Sequence, residues 1–243
     1  MNRSWTSRLR DSPLVGVLII ILIVGLLLAG LYIGDRYAHR RAERQVAALL
    51  QSQLGTPQPP TVDIEGFPFL TQVAADSIGR VHVVGDQLGE TTKAPVILAH
   101  ADLIMTDVDT NDWFQSMNVA HTEGTARLDY ARLSSLAGTP LAYGGEGRVE
   151  IVVNTTVVGR EVQAVISGLP RLNAKEQTMT LSDAKIAVAG VNLPDFAAQA
   201  LLAAALKPIP LKGMPLGLTV TKIVAAEDGL QVDLAGDNKT IPP

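Results

Sequence analysis

The chain has 243 residues, 47% of them apolar but only 4% aromatic, and a formal net charge of −4. It contains no cysteine, which excludes a disulfide framework, a thiolate metal site and a thiol nucleophile. Residues 1–44 carry seven arginines against Asp11, Asp35 and Glu43, whereas the remainder is acidic with a net of −8; an acidic body lacks the basic footprint that a nucleic-acid partner requires, so none is expected.

In chain order, residues 1–13 form a short tail that is expected to be cytoplasmic. Residues 14–33, LVGVLIIILIVGLLLAGLYI, hold no charge and no strongly polar group. Twenty helical residues at 1.5 Å each span about 30 Å, the thickness of a hydrocarbon core. The run is longer than a signal-peptide core and ends without a small-x-small cleavage site, which predicts an uncleaved single-pass anchor. Tyr32 and Tyr37 suit the interfacial belt. Arg3, Arg8 and Arg10 before the span nearly balance Arg36, Arg40, Arg41 and Arg44 after it. The topology expected is a cytoplasmic N-terminus, with the main domain outside the plasma membrane.

Residues 35–54 repeat apolar positions at helical steps: Ala38, Ala42, Val46, Leu49, Leu50 and Leu54. This predicts a juxtamembrane amphipathic helix whose arginines face solvent or headgroups. Gly55 and the prolines at 57, 59 and 60 stop it, and 55–60 reads as a hinge.

From Thr61 the period becomes two, and 61–238 reads as one domain. Ser77–Val84 is strand-like, with Val81, Val83 and Val84 as its apolar run. Ile97, Ala99, Ala101, Leu103 and Met105 alternate with their neighbours. So do Val149, Ile151 and Val153; Val162, Ala164 and Ile166; Ile186 and Val188; Leu218 and Val220; and Leu230, Val232 and Leu234. Such alternation predicts half-buried antiparallel strands. Two later helices are expected, a short one at 128–136 and an alanine-rich one at 194–206. The second opens with a first-turn proline and is apolar on nearly all faces. The fold class predicted is α+β: an N-terminal transmembrane helix, then a long curved antiparallel sheet wrapped around one or two buried helices.

The four histidines, at 39, 82, 100 and 121, show no helical metal-pair spacing, and no nucleophile elbow or phosphate loop occurs. Asp107, Asp109 and Asn111 alternate like the start of a calcium loop, but Asp112 stands where glycine belongs and Asn118 where glutamate belongs. A strand end entering a turn explains them as well. An envelope enzyme using Asp107 and Asp109 is one alternative; a scaffold with a filled core is another. No catalytic residue, metal or cofactor is predicted.

Aromatics are rare, so their placement is informative. Phe67 and Phe69 flank Pro68 in GFPFLTQ, and on a strand both would face inward. Trp113 and Phe114 sit in a polar turn, either at a membrane surface or folded onto the core. GFPFLTQ (66–72), preceded by the arginine-rich helix and LQSQLG, resembles a signature of the LmeA-like family of phospholipid-binding envelope proteins of actinomycetes. NLPDF (192–196) and the tail 214–236 extend the likeness, which runs from about Arg36 to Gly236. The resemblance implies a tubular lipid-binding architecture like that of the bactericidal/permeability-increasing group. It further implies phospholipid or another envelope lipid as ligand, and a link to assembly of lipomannan-type envelope glycolipids and its enzymes. On that basis the expected lipid-binding residues are Phe67, Phe69 and Leu70 at a cavity end, Phe196, Leu201 and Leu202 on the buried helix, and Trp113 and Phe114 at a mouth. A lipid site needs no catalytic group: shape-tolerant apolar surface contributes about 0.8 kcal/mol per buried methylene.

Overall fold

The computed structural model of the chain describes residues 13–111, 114–157, 160–188, 199, 202, 203 and 207–242. It opens on a single helix of 42 residues, α1 (Pro13–Leu54). The two helical segments expected at 14–33 and 35–54 are thus one element. Nothing between them breaks a helix, because Gly34 has no proline beside it and one interior glycine costs only about 1 kcal/mol.

What differs between the halves is their covering. Large apolar side chains from Val17 to Ile33 are exposed, and the helix is long and apolar enough to cross a membrane. Farther along, Ala42, Val46, Leu50 and Leu54 are buried, and Ala38 and Leu49 pack against the same core. The segment expected to lie beside the membrane is therefore the core helix of the domain. Its arginines, at 36, 40, 41 and 44, remain exposed on the opposite side.

The segment expected as a hinge is a pinned corner. The Gly89 N–H donates to the Leu54 carbonyl at 2.7 Å, and the Thr91 N–H to that of Gly55 at 3.0 Å. Gly55 has φ +64°, and a Cβ there would meet Thr92 Oγ1 at 2.6 Å, so both the turn and the close approach require glycine.

After the corner come β1 (Thr61–Glu65), α2 (Phe69–Ala74), β2 (Ser77–Leu88), β3 (Leu98–Asn111), β4 (Ser116–Leu128), α3 (Tyr130–Ala137) and β5 (Leu141–Tyr143). Then follow β6 (Val149–Val157), β7 (Arg160–Asn173), β8 (Thr178–Val188), β9 (Ile209–Pro210), β10 (Thr219–Ala226) and β11 (Gly229–Ile241). They form two antiparallel sheets, ordered β1-β2-β3-β4-β11-β10 and β5-β6-β7-β8-β9. The second half of α1 touches β1 at one edge of the larger sheet. It also touches the Pro215–Gly217 turn that leads into β10 at the other edge. The larger sheet therefore curls around this helix, and the α+β class with a curved sheet wrapping a buried helix is as expected.

Most expected strands are present, with two differences. Leu98 and Ala101 are buried while Ile97 and Ala99 are only half-buried, so the inward parity changes near His100 instead of running cleanly from Ile97. The central strand β4 lacks an apolar alternation, because its inward positions include Thr122 and its pairing row includes Gly124. A Cβ at Gly124 would collide with the Asp102 carbonyl oxygen and with Leu103 Cα, so only glycine lets β3 and β4 approach there. The helix expected at 128–136 is α3, stopped by Gly138 in the left-handed conformation at φ 69°. Of the helix expected at 194–206, Gln199, Leu202 and Ala203 are helical; the other residues lie outside those described.

Candidate functional site

The smaller sheet presents an apolar face. Across its strands Leu141, Ile151, Ile166 and Ile186 stand in one row, and Val153, Ala164 and Val188 in the next. A third row holds Leu172, Met179 and Ile209. Leu141, Ile151, Ala164, Ile166, Met179 and Ile209 are buried, but Val153, Ile186 and Leu172 are only partly covered. Alternation, with the bulge in β8 between Lys185 and Ser182 resetting its parity, puts these residues on one side; what it leaves open is how much protein covers them.

A cleft of about 410 Å³ opens between the end of α3 and this sheet. Its walls include Leu136, Ala137, Ile151, Val153 and Ile209, and Lys207 stands at its edge. The size falls in the range of about 300–1,000 Å³ typical of small-molecule sites. Gly138, Thr139 and Pro208 complete the lining, so the cleft joins apolar side chains to one hydroxyl and one ammonium group.

Local hydrogen bonds hold the α3 wall in place. The Ser134 hydroxyl donates to the Tyr130 carbonyl at 2.6 Å and accepts from the Leu141 N–H at 2.8 Å, fixing the turn into β5. The Tyr130 hydroxyl donates to the Ala226 carbonyl of β10 at 2.8 Å, tying α3 to the larger sheet. Burial pushes the Tyr130 phenol up to about 12, with lesser help from Tyr143 and Asp228.

The residues expected from GFPFLTQ do not line this cleft. β1 ends at Glu65, Gly66 turns the chain at φ +111°, the Phe67–Pro68 peptide is cis, and α2 begins at Phe69. Phe67 and Phe69 therefore do not share a strand face, which corrects the expectation that both point inward. Phe69 is 1% exposed, stacked on Phe114 (ring centroids 6.1 Å apart, planes at 12°) and 5.1 Å from the His39 ring. Phe114 is also 1% exposed and faces the core. Phe67 is 68% exposed with its ring centroid 6.2 Å from that of Tyr32, and Leu70 is 37% exposed. Leu202 is half-buried against the core. Trp113, Phe196 and Leu201 lie outside the described residues. The cleft residues Ile151 and Val153 belonged to a recognised strand, yet no sequence signal distinguishes a half-covered valine from a buried one.

Each histidine has an acceptor partner. His82 Nε2 lies 2.7 Å from Asp102 Oδ1, His100 Nδ1 2.7 Å from Asp86 Oδ1, and His121 Nδ1 2.8 Å from Asp237 Oδ1. All three pairs decorate the polar outer side of the larger sheet, away from the cleft. The bond to Asp237 raises the His121 pKa above its ordinary 6.5. His39, Glu43 and Asp63 bring ligand-type atoms within 4.8 Å of one another. However, His39 Nε2 lies 2.7 Å from the Ile64 carbonyl, where it serves as a donor joining α1 to β1. Asp107 and Asp109 belong to β3, where Val108 and Asp109 pair with Val119 and Asn118 of β4, so the segment is ladder strand and not the loop that calcium would need.

No curated protein and no solved structure matches the chain. A family model described as LmeA-like phospholipid-binding matches residues 33–235, which takes in the buried half of α1, the smaller sheet, the cleft and the larger sheet up to Ala235 in β11. By that match the chain belongs to the LmeA-like phospholipid-binding family.

Proposed function

We propose that this protein is a single-pass, membrane-anchored lipid-binding protein of the cell envelope, its N-terminus cytoplasmic and its main domain outside the plasma membrane. The observation that carries the lipid reading is the half-covered apolar face of the smaller sheet, with its cleft of about 410 Å³ and Lys207 at the edge. A phospholipid would lay acyl methylenes along Ile151, Val153 and Ile209 and set its phosphate near the Lys207 ammonium. Leu202 belongs with these lipid contacts. Phe69 and Phe114 close the other part of the core, and Phe196, Leu201 and Trp113 complete the proposed set. The exposed apolar half of α1 supports the anchor.

The test uses the full chain purified in a mild lipid-free detergent, one portion kept as purified for native mass spectrometry and the other delipidated for melting. Native mass spectrometry should find a co-purified phospholipid, and adding phospholipid should raise the melting temperature. A chain that carries no lipid and melts unchanged would sink the reading in favour of a filled-core scaffold. A contribution to lipomannan-type glycolipid assembly in an actinomycete envelope is the physiological role proposed. Deleting the gene should then change the envelope glycolipid profile, and an unchanged profile removes that role without touching lipid binding.

A further inference from the structure

Outside α1, three large apolar residues are exposed among the described residues: Phe67, Leu70 and Val224. Two of them stand three residues apart, Phe67 in the turn from β1 and Leu70 in the first turn of α2, and the Phe67 ring stands against Tyr32 at 6.2 Å. Tyr32 and Ile33 are the last residues of the apolar run, so this segment lies at the level where that run ends.

The segment is also fastened there. Asp35, buried to 5% exposure, accepts the Leu70 N–H at 2.8 Å. The Thr71 hydroxyl donates to the Pro68 carbonyl at 2.7 Å. Gly66 adopts φ +111°, and the Gln72 side chain fills the space where a Cβ would stand. Gln72 in turn donates to the Glu65 carbonyl at 3.3 Å. A braced segment that exposes a phenylalanine has no use for it in solution, since exposed apolar area is unfavourable there.

The charges beside it are ordered in the same sense. Arg36 and Arg40 are exposed one and two turns beyond Tyr32, about 6 and 12 Å farther along the helix. Apolar rings at one level and guanidinium groups above them reproduce the sequence of a bilayer boundary: hydrocarbon, then phosphate.

We infer that Phe67 and Leu70 form a wedge seated in the interfacial layer of the same phospholipid bilayer that α1 crosses, a second membrane contact that holds the domain down on the lipid surface. The inference rests on the reading of α1 as a membrane span. The occupant is lipid because the patch continues the apolar surface of that helix at its own level.

The chain has no cysteine, so single-cysteine variants take a fluorophore at one place only. Full-length Phe67→Cys, Leu22→Cys and Asp86→Cys would be labelled with an environment-sensitive dye and reconstituted in phosphatidylcholine/phosphatidylglycerol nanodiscs. Lipids carrying a doxyl quencher near the headgroup or near the chain end then read depth. The expected result is loss of emission at position 67 with the shallow quencher, at position 22 with the deep one, and at position 86 with neither. Leu70→Cys keeps the Phe67 ring and every brace, since Asp35 holds the backbone N–H of residue 70, and should also be quenched; adding Phe67→Asp should abolish that quenching. If position 22 is quenched while 67 and 70 behave like 86, the wedge is overturned and the anchor stands. If position 22 is also silent, the anchor falls and the wedge with it.

Discussion

The two sheets of this protein use the same alternating pattern to opposite ends. The larger sheet closes around the second half of α1, and its inward residues, such as Ile78, Leu103, Met105 and Leu230, are sealed from solvent. The smaller sheet offers Val153, Ile186 and Leu172 with only partial cover. An apolar face becomes a core or a binding surface according to what is placed over it. Here one helix fills the first sheet, while the second retains a cleft.

That contrast can be broken by experiment, beginning with the largest effect. Leu50 is fully buried inside the curled sheet, so Leu50→Ala should cost about 2–5 kcal/mol by urea denaturation. A cost well under this range would mean that the helix is not the filling of the sheet. Next, Asp35→Ala strips a charged acceptor from the Leu70 N–H and should cost about 1.5–3 kcal/mol. The loss should appear as faster hydrogen exchange across residues 66–74, before the rest of the fold responds.

The open sheet should behave inversely. Val153→Asp should weaken phospholipid binding by at least about tenfold, or ~1.4 kcal/mol, while the melting temperature of the lipid-free chain moves little. If stability falls as far as it does for Leu50→Ala, the two faces are equivalent and the cleft is merely core. Tyr130 joins the two regions, and Tyr130→Phe should cost about 0.5–1.5 kcal/mol through the lost bond to Ala226. Its raised pKa adds a sign that can be checked. The neutral phenol is the form the fold favours, so its contribution is intact below the ordinary 10 and fades as pH climbs through about 12. Ultraviolet titration should therefore show one tyrosine ionising late.

The smallest effect concerns the outer side of the larger sheet. Asp237→Asn should return the His121 pKa toward 6.5, read by proton NMR, with scarcely any change in melting because the pair is fully exposed. The raised value means that this exposed pair favours the fold at acidic pH and ceases to do so as pH rises past it.

Much of this architecture was legible in the sequence, and the illegible parts share a cause. The stripe Ala38, Ala42, Val46, Leu49, Leu50 and Leu54 correctly marked a helix with one apolar face. It could not say whether membrane or sheet would cover that face, since both are apolar. The rows through Ile151 and Ile166 were visible as strands, but partial covering of Val153 depends on residues far away in the chain. β4 was hidden because a threonine and a glycine occupy places that apolar residues usually hold. In GFPFLTQ the error was geometrical: strand parity puts Phe67 and Phe69 on one side, but a helix starting at Phe69 turns one ring in and leaves the other out. The family likeness needed none of this geometry, since it was carried by residue identity in the motif itself.

The unbroken α1 has a mechanical consequence. A carrier that ferries lipid across a gap needs slack in its tether, and here the proposed anchor and the centre of the domain are one shaft with no joint. If α1 crosses the bilayer as proposed, the tilt of that shaft would set the posture of the whole body. Lipid would then arrive by sliding sideways in the plane of the membrane, and the protein would act as a fixed post at which such traffic stops.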